Sequence, residues 1–213
     1  AATQRRFDRL SHDYVFKPMG LDAGFNWAGV SPGKKQAGAP LYRNFGSGWA
    51  AQTDNREILR DPDPFYLKED GADLSTYEPG TNGTLFSPQG GLRASLIDLA
   101  TLAARLKYAP DLTAPIWTLN TAESNGVHDQ RYFTQFGTGV QIHPANESLW
   151  PGHEIWGHPG EAYGLYSGAW YVPDLDLSFA FAVPGTPGTP PPRSTKHPAL
   201  NTFTEVLMDA VLA

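Results

Sequence analysis

A regular alternation of large and small side chains near the C-terminus limits the possible folds more than any other feature of the sequence. Large apolar and small side chains alternate along residues 177–183: the large ones are Leu177, Phe179, Phe181 and Val183, and the small ones are Ser178, Ala180 and Ala182. A period of two residues is typical of a β-strand, and a second run at 163–172 precedes it across a Pro-Asp-Leu-Asp turn. We therefore predict a β-hairpin, with a helix packed closely on its small-residue face.

Two further segments have helical periodicity. The apolar stripe of the first is Leu96, Leu99, Leu102 and Leu106, and that of the second is Phe203, Val206, Leu207, Ala210 and Val211. The candidate capping boxes are Ser95 with Asp98 and Thr202 with Glu205. Residues 136–143 favour one more strand, whereas residues 21–91 have no sustained period. The chain is therefore predicted to have an α+β fold, an antiparallel sheet flanked by helices.

The composition narrows the classes of function. The net charge of -6 argues against nucleic acid as a partner, because nothing would neutralise phosphates. No apolar run is long enough to cross a bilayer. The absence of cysteine rules out disulfides and thiolate chemistry but does not fix the compartment. A periplasmic or secreted location is favoured over the cytoplasm.

Three short motifs fit those of acyl-serine enzymes. The matches are Ser31 with Lys34 for S-x-x-K, Tyr42 with Asn44 for Y-x-N, and His158 with Gly160 for H-x-G. The S-x-x-K motif requires both side chains on one helical turn. Pro32 and Gly33 lie between Ser31 and Lys34, and we expect no helix there. We therefore interpret the first two matches as turn and loop residues. The third lies near the start of a further predicted strand, residues 156–164, and remains a candidate.

Three longer passages carry a family resemblance. They are Pro18-Met19-Gly20-Leu21, Ser87-Pro88-Gln89-Gly90-Gly91-Leu92 running into Asp98 and Leu99, and Gly157-His158-Pro159-Gly160 followed by Tyr163-Gly164 and Ser167-Gly168. In this order, they resemble the C-terminal portion of the β-lactamase-related serine hydrolases, which include class C β-lactamases, D-alanyl-D-alanine peptidases and esterases. The resemblance implies the penicillin-recognising serine hydrolase fold and acyl-serine hydrolysis of an ester, amide or β-lactam.

The resemblance also implies roles for individual residues. His158 would polarise the substrate or assist proton transfer, and Gly160 would let the substrate backbone approach. Glu161 would donate its backbone N–H to the developing oxyanion. Tyr163 and Ser87 would contribute to substrate binding, although Ser87 fits a tight turn before the following helix equally well.

Pro159 departs from the family pattern, and Glu161 adds a negative charge to the expected site. Pro159 stands where a Thr or Ser hydroxyl is usual, which weakens the binding of a substrate carboxylate. Esters or small amides are therefore favoured over β-lactams. The Glu161 side chain would add negative charge at the edge of the site and disfavour anionic substrates.

The expected nucleophile has no credible counterpart in this sequence. Phe7, Leu10, Tyr14 and Val15 recur at helical spacing and predict a helix near the start of this chain. In the family, the S-x-x-K and Y-x-N motifs precede the corresponding helix. We therefore expect residues 1–213 to form one β-lactamase-like segment that lacks the N-terminal part with the nucleophile and is inactive alone. Its expected partners are that N-terminal segment or another copy, besides a small-molecule substrate. The alternative is a non-catalytic binding or interaction protein with the same fold.

A zinc site is a further alternative. His153, Glu154 and His158 are spaced as H-E-x-x-x-H, one residue longer than the helical H-E-x-x-H arrangement. Gly157 and Pro159 also oppose a helix there. We therefore expect no metal and no cofactor, although this spacing leaves a loop-borne site open.

Overall fold

The computed structural model describes residues 3–25, 27–44, 46–52, 68–69, 72–73, 90–120, 122, 134–162, 164–185 and 201–212. The helices are α1 (Phe7–Ser11), α2 (Pro32–Gln36), α3 (Leu96–Ala104), α4 (Pro110–Thr113) and α5 (Thr202–Leu212). The strands are β1 (Leu41–Asn44), β2 (Trp49–Gln52), β3 (Lys68–Glu69), β4 (Ala72–Asp73), β5 (Trp117–Thr118), β6 (Gln135–Phe136), β7 (Gln141–His143), β8 (Ile155–Ala162), β9 (Leu165–Val172) and β10 (Leu177–Val183). Every strand pair is antiparallel, which confirms the α+β prediction. Among these residues no helix is long and apolar enough to cross a membrane.

The chain divides into two compact units. One comprises Ala1–Pro40 and Thr53–Asp98, and the other comprises Leu41–Gln52 and Leu99–Ala213. In the first unit α1 continues into a π-helical turn, and Phe16 at its end is buried against Phe25 with ring centroids 5.9 Å apart. In the second unit six strands form one sheet in the order β10-β9-β8-β7-β6-β5. Each strand of this sheet is adjacent to its neighbour in sequence, so the sheet is a simple meander.

Large side chains on one face of this sheet form the core of the second unit. The buried cluster consists of Leu149, Ile155, Trp170, Val172, Phe179, Phe181 and Met208. Met208 belongs to α5, so the helix packs on the face that carries Phe179 and Phe181. The expectation that the helix covers the small-residue face is therefore wrong. The bulkier face releases more apolar area from water when a helix covers it, which is the stronger driving force.

The C-terminal helix also differs in register from its predicted stripe. Thr204 and Met208 are buried, whereas Phe203 is 43% and Val206 67% exposed. The capping residue is Asn201, whose side-chain oxygen accepts the N–H groups of Phe203 and Thr204 at 3.0 Å each. In return the Thr204 hydroxyl accepts the Asn201 N–H at 2.9 Å. The reciprocal box thus begins one residue before the predicted Thr202 and Glu205 pair.

The predicted single strand at 136–143 is instead two strands joined by a turn. Gly137 donates its N–H to the Val140 carbonyl at 2.9 Å, which closes the turn between β6 and β7. Gly139 has a φ of 77°, a conformation that residues other than glycine rarely adopt. The two glycines of the Gly-Thr-Gly sequence therefore break the apolar run into a hairpin.

Candidate active site

Strand β8 carries the H-x-G motif and has one partly uncovered edge. Towards β9 it is paired from Trp156 to Ala162 without a break. Towards β7 it is paired only from Ile155 to Gly157. Beyond Gly157, no strand in the described ranges pairs with this side of β8. Within the described part of the chain, the backbone of residues 158–162 is therefore an open edge, at which an extended ligand can bind.

Pro159 fixes the direction in which the backbone groups of β8 point. It pairs with Gly168 in an unbroken antiparallel register, yet it has no N–H to donate. Antiparallel pairs alternate between hydrogen-bonded and non-hydrogen-bonded positions, so Pro159 must occupy a non-hydrogen-bonded one. By the same alternation, the N–H of Glu161 points away from β9, towards the open edge.

The His158 side chain is exposed on the face of the sheet opposite the core. It lies across from Ala169, a small residue that leaves space beside the ring. Its Nδ1 atom is 2.5 Å from the Pro159 carbonyl oxygen, which can only accept a hydrogen bond. Nδ1 therefore carries the proton, and Nε2 is the nitrogen available to a ligand. His158 can accept a proton at Nε2 when neutral or donate one there when charged.

Two glycines of β8 are required by close packing against β9. A Cβ atom on Gly157 would overlap the Ala169 carbonyl oxygen and the Trp170 ring, so Gly157 makes room for the largest side chain of the core. A Cβ atom on Gly160 would overlap the Ser167 hydroxyl. Gly160 thus has a structural requirement independent of any substrate, and its half-buried backbone lies on the open edge.

The turn between β9 and β10 is held by a polar cluster that sequence reasoning missed. The Asp176 carboxylate accepts hydrogen bonds from the Tyr171 hydroxyl and from Lys107 Nζ, both at 2.9 Å. Lys107, followed by Tyr171, lowers the pKa of Asp176, while burial and then Asp176 raise the pKa of Tyr171. Lys107 lies 69 residues from Asp176 in sequence, so its part in the cluster could not be read from local pattern. Asp176 itself has a left-handed conformation, with a φ of 46°.

Ser31 and Lys34 do lie on one helical turn, contrary to the prediction. Ser31 caps α2, and Pro32 occupies its first position, where the missing N–H costs nothing. The two side chains nevertheless engage other partners. The Ser31 hydroxyl bonds to Asp22, whereas Lys34 Nζ bonds to Asp98 and to the Asp22 carbonyl. The Lys34 ammonium is therefore not placed to take a proton from Ser31.

The buried Asp98 carboxylate makes the Lys34 contact sensitive to pH. Burial, the largest influence, raises the pKa of Asp98, but the hydrogen bonds from Lys34 and Ser95 together outweigh it and hold the pKa below its ordinary value. A carboxyl group with a depressed pKa stabilises the fold above its unfolded pKa of about 4. This stabilisation is lost as the pH falls through the folded pKa.

Replacing Lys34 with methionine is expected to lower the free energy of unfolding by about 1–3 kcal/mol at pH 7, because it leaves the Asp98 carboxylate without its cation. The difference from the parent chain should shrink as the pH falls from 5 towards 2, since Asp98 becomes protonated. Urea denaturation followed by circular dichroism at several pH values measures both effects. Lys17→Met, at an exposed lysine of the same unit, is the matched control, and a pH-independent difference for Lys34→Met would contradict the assignment.

The remaining candidate residues are distributed as follows. Tyr42 and Asn44 lie on β1, and the Asn44 side chain accepts the Gly46 N–H at 2.8 Å. Ser87 and Tyr163 lie outside the described residues, so their roles stay predictions.

The residues considered for zinc have other partners. His153 contacts Asp174 at 2.6 Å, and Glu154 accepts the Trp156 indole N–H at 2.6 Å. Where the chain is described, no three metal-ligating side chains form a group that could hold a metal ion.

Residues 1–202 match the sequence model of the β-lactamase family, and the chain belongs to that family. One similar solved structure is a D-amino acid amidase from Ochrobactrum anthropi SV3, in complex with D-phenylalanine. The two chains are 16% identical, the TM-score is 0.54, and the match covers 97% of this chain and 52% of the amidase chain. A second is a D-stereospecific amidohydrolase from Streptomyces sp. The two chains are 18% identical, the TM-score is 0.47, and the match covers 85% of this chain and 44% of the amidohydrolase chain. The chain thus spans about half the length of these structures. No curated protein sequence matches it significantly.

Proposed function

We propose that this chain is part of an acyl-serine hydrolase acting on an ester, an amide or a β-lactam, for which it supplies the third-motif strand and the oxyanion wall. The observation that carries the proposal is the open edge of β8, towards which the Glu161 N–H points. An N–H held in a strand is already oriented for a developing oxyanion and needs no reorganisation during the reaction. Membership of the β-lactamase family supports the same chemistry.

The other residues of β8 have complementary roles in this proposal. His158 presents Nε2 to polarise the substrate or to transfer a proton, and Gly160 leaves the edge accessible. Pro159 offers no hydroxyl for a substrate carboxylate, which favours esters and small amides over β-lactams. The amidase similar to this chain was solved with D-phenylalanine, and amides are accordingly among the first substrates to test.

The nucleophile would come from a segment that is not among these 213 residues. Support comes from the second face of the sheet, which α5 does not cover. Ser167, Ala169 and Ala180 on this face are only half-buried, and their small side chains allow close approach by a helix. We propose that the nucleophile-bearing segment, or failing that a second copy of the chain, packs there.

Fluorophosphonate labelling combined with intact mass analysis of the native protein tests this proposal. We expect a labelled serine on a segment that accompanies the 23.2 kDa chain. Because the Ser31 hydroxyl is bonded to Asp22 and the Lys34 ammonium to Asp98, Ser31 lacks the paired lysine of an S-x-x-K nucleophile, and Ser31→Ala should leave the labelling unchanged. A single species of the mass of this chain that never labels would exclude the hydrolase function.

A non-catalytic interaction protein with the same fold is the second candidate. It is favoured by one observation, namely that the Ser31 and Lys34 side chains bond to aspartates rather than to each other. A protein of this kind would still associate through the half-buried sheet face. Size-exclusion chromatography with light scattering tests the association that both candidates require, since a clean monomer would contradict every form of association proposed here. Fluorophosphonate labelling separates the two candidates, because the non-catalytic protein would never label.

A further inference from the structure

The Glu161 side chain places a negative charge beside the proposed oxyanion site. It is exposed, and among the described residues no lysine, arginine or histidine forms an ion pair with it. Its neighbours on the same face of the sheet are Pro159, two residues earlier, and Tyr166, which lies opposite it on β9. Neither carries a positive charge that could balance the carboxylate.

This arrangement is unfavourable for a reaction that builds an anion at the same residue. The N–H and the carboxylate belong to one glutamate, so an oxyanion bound to that N–H stays within roughly the Debye length of about 8 Å at physiological salt. Like charges at this range repel, because salt screens them only in part. A positive charge bound next to Glu161 would neutralise the carboxylate and would itself attract the oxyanion.

We propose, building on the hydrolase function proposed above, that Glu161 selects substrates carrying an ammonium group close to the reacting carbonyl. The carboxylate binds the ammonium, and the N–H of the same residue binds the oxygen that becomes negative. An ester or amide with a neutral substituent gains nothing from the carboxylate, and one with a carboxylate there is repelled. Glu161 is then a specificity-determining residue through its side chain as well as an oxyanion donor through its backbone.

A matched pair of substrates tests this assignment: alanine p-nitroanilide and its N-acetyl derivative, which differ in the charge of one nitrogen. In the active protein, Glu161→Gln should lower kcat/KM for the ammonium substrate about tenfold. It should raise kcat/KM for the neutral one, because the repulsion on the oxyanion is gone. Glu205→Gln on α5 changes net charge equally and is the control. An unchanged ratio between the two substrates in Glu161→Gln would overturn the proposal.

A binding measurement on the 213-residue chain separates this proposal from the hydrolase function. Alaninamide added to the isotope-labelled chain should shift the backbone amide resonance of Glu161, and N-acetylalaninamide should shift it much less. The shift should be lost in Glu161→Gln. Selective binding without hydrolysis would defeat the hydrolase function alone, whereas hydrolysis without selectivity or binding without charge preference would defeat the role of the Glu161 carboxylate.

Discussion

Replacement of Glu161 by proline is expected to lower kcat/KM of the active protein by about 10²–10³-fold, the usual effect of removing one oxyanion donor. Proline removes the N–H that points to the open edge. The hydrogen bonds between β8 and β9 remain, because Glu161 occupies a non-hydrogen-bonded position, as Pro159 does two residues earlier. Steady-state kinetics with a neutral ester measures the effect.

Glu161→Gln is the matched control for this variant, since it removes the carboxylate and keeps the N–H. With a neutral ester it should retain or gain activity while Glu161→Pro loses it. Both variants should give the circular dichroism spectrum of the parent chain. If the two variants lose activity equally, the side chain rather than the backbone of Glu161 matters, and the oxyanion assignment fails.

The largest effect on stability is expected for Trp170→Ala, which should lower the free energy of unfolding by about 3–5 kcal/mol. Trp170 is 1% exposed and lies over Gly157, where there is no side chain to fill the cavity. Since total stabilities are about 5–15 kcal/mol, this is a large fraction. Urea denaturation followed by far-ultraviolet circular dichroism gives the value.

Trp156→Ala is the control for loss of a tryptophan from the same sheet. Trp156 is half-buried on the opposite face, where its ring lies 5.8 Å from that of Tyr171. Its removal should cost about 1–2 kcal/mol, because less apolar area returns to water. Equal losses in the two variants would show that the face carrying Trp170 is not the principal core. Because Gly157 and Trp170 position β8, Trp170→Ala should also impair catalysis in the active protein.

Local periodicity predicted α3, α5, β9 and β10 but not their packing partners, and it did not show the turn that divides residues 136–143 between β6 and β7. The alternation at 177–183 predicted β10 because a period of two depends on the strand alone. Which face receives α5 depends on a competition between close approach at Ala180 and apolar burial at Phe179, and the sequence contains both features. The capping box of α5 lies one residue before the predicted one, because two candidate capping boxes overlap in the sequence. They are Asn201 with Thr204, which forms, and Thr202 with Glu205.

The candidate site shows a similar division. The position of His158 and Gly160 on a strand followed from the sequence, through the resemblance to the family. The direction of the Glu161 N–H did not, because it requires the register with β9 and the point at which β7 ends. The helix that begins at Pro32 could not be predicted from residue type alone, because proline opposes a helix at interior positions but favours one at the first helical position.

Pro159 has a consequence for the solution behaviour of the protein. An open strand edge is a template for pairing with other chains, and long exposed edges promote aggregation. Proline presents no N–H at the edge of β8, so an incoming strand cannot form a continuous ladder across residues 158–162. The residue that leaves this edge without a hydroxyl also protects it from self-propagating β-pairing. A strand edge that must stay open to a ligand can thereby remain resistant to cross-β aggregation.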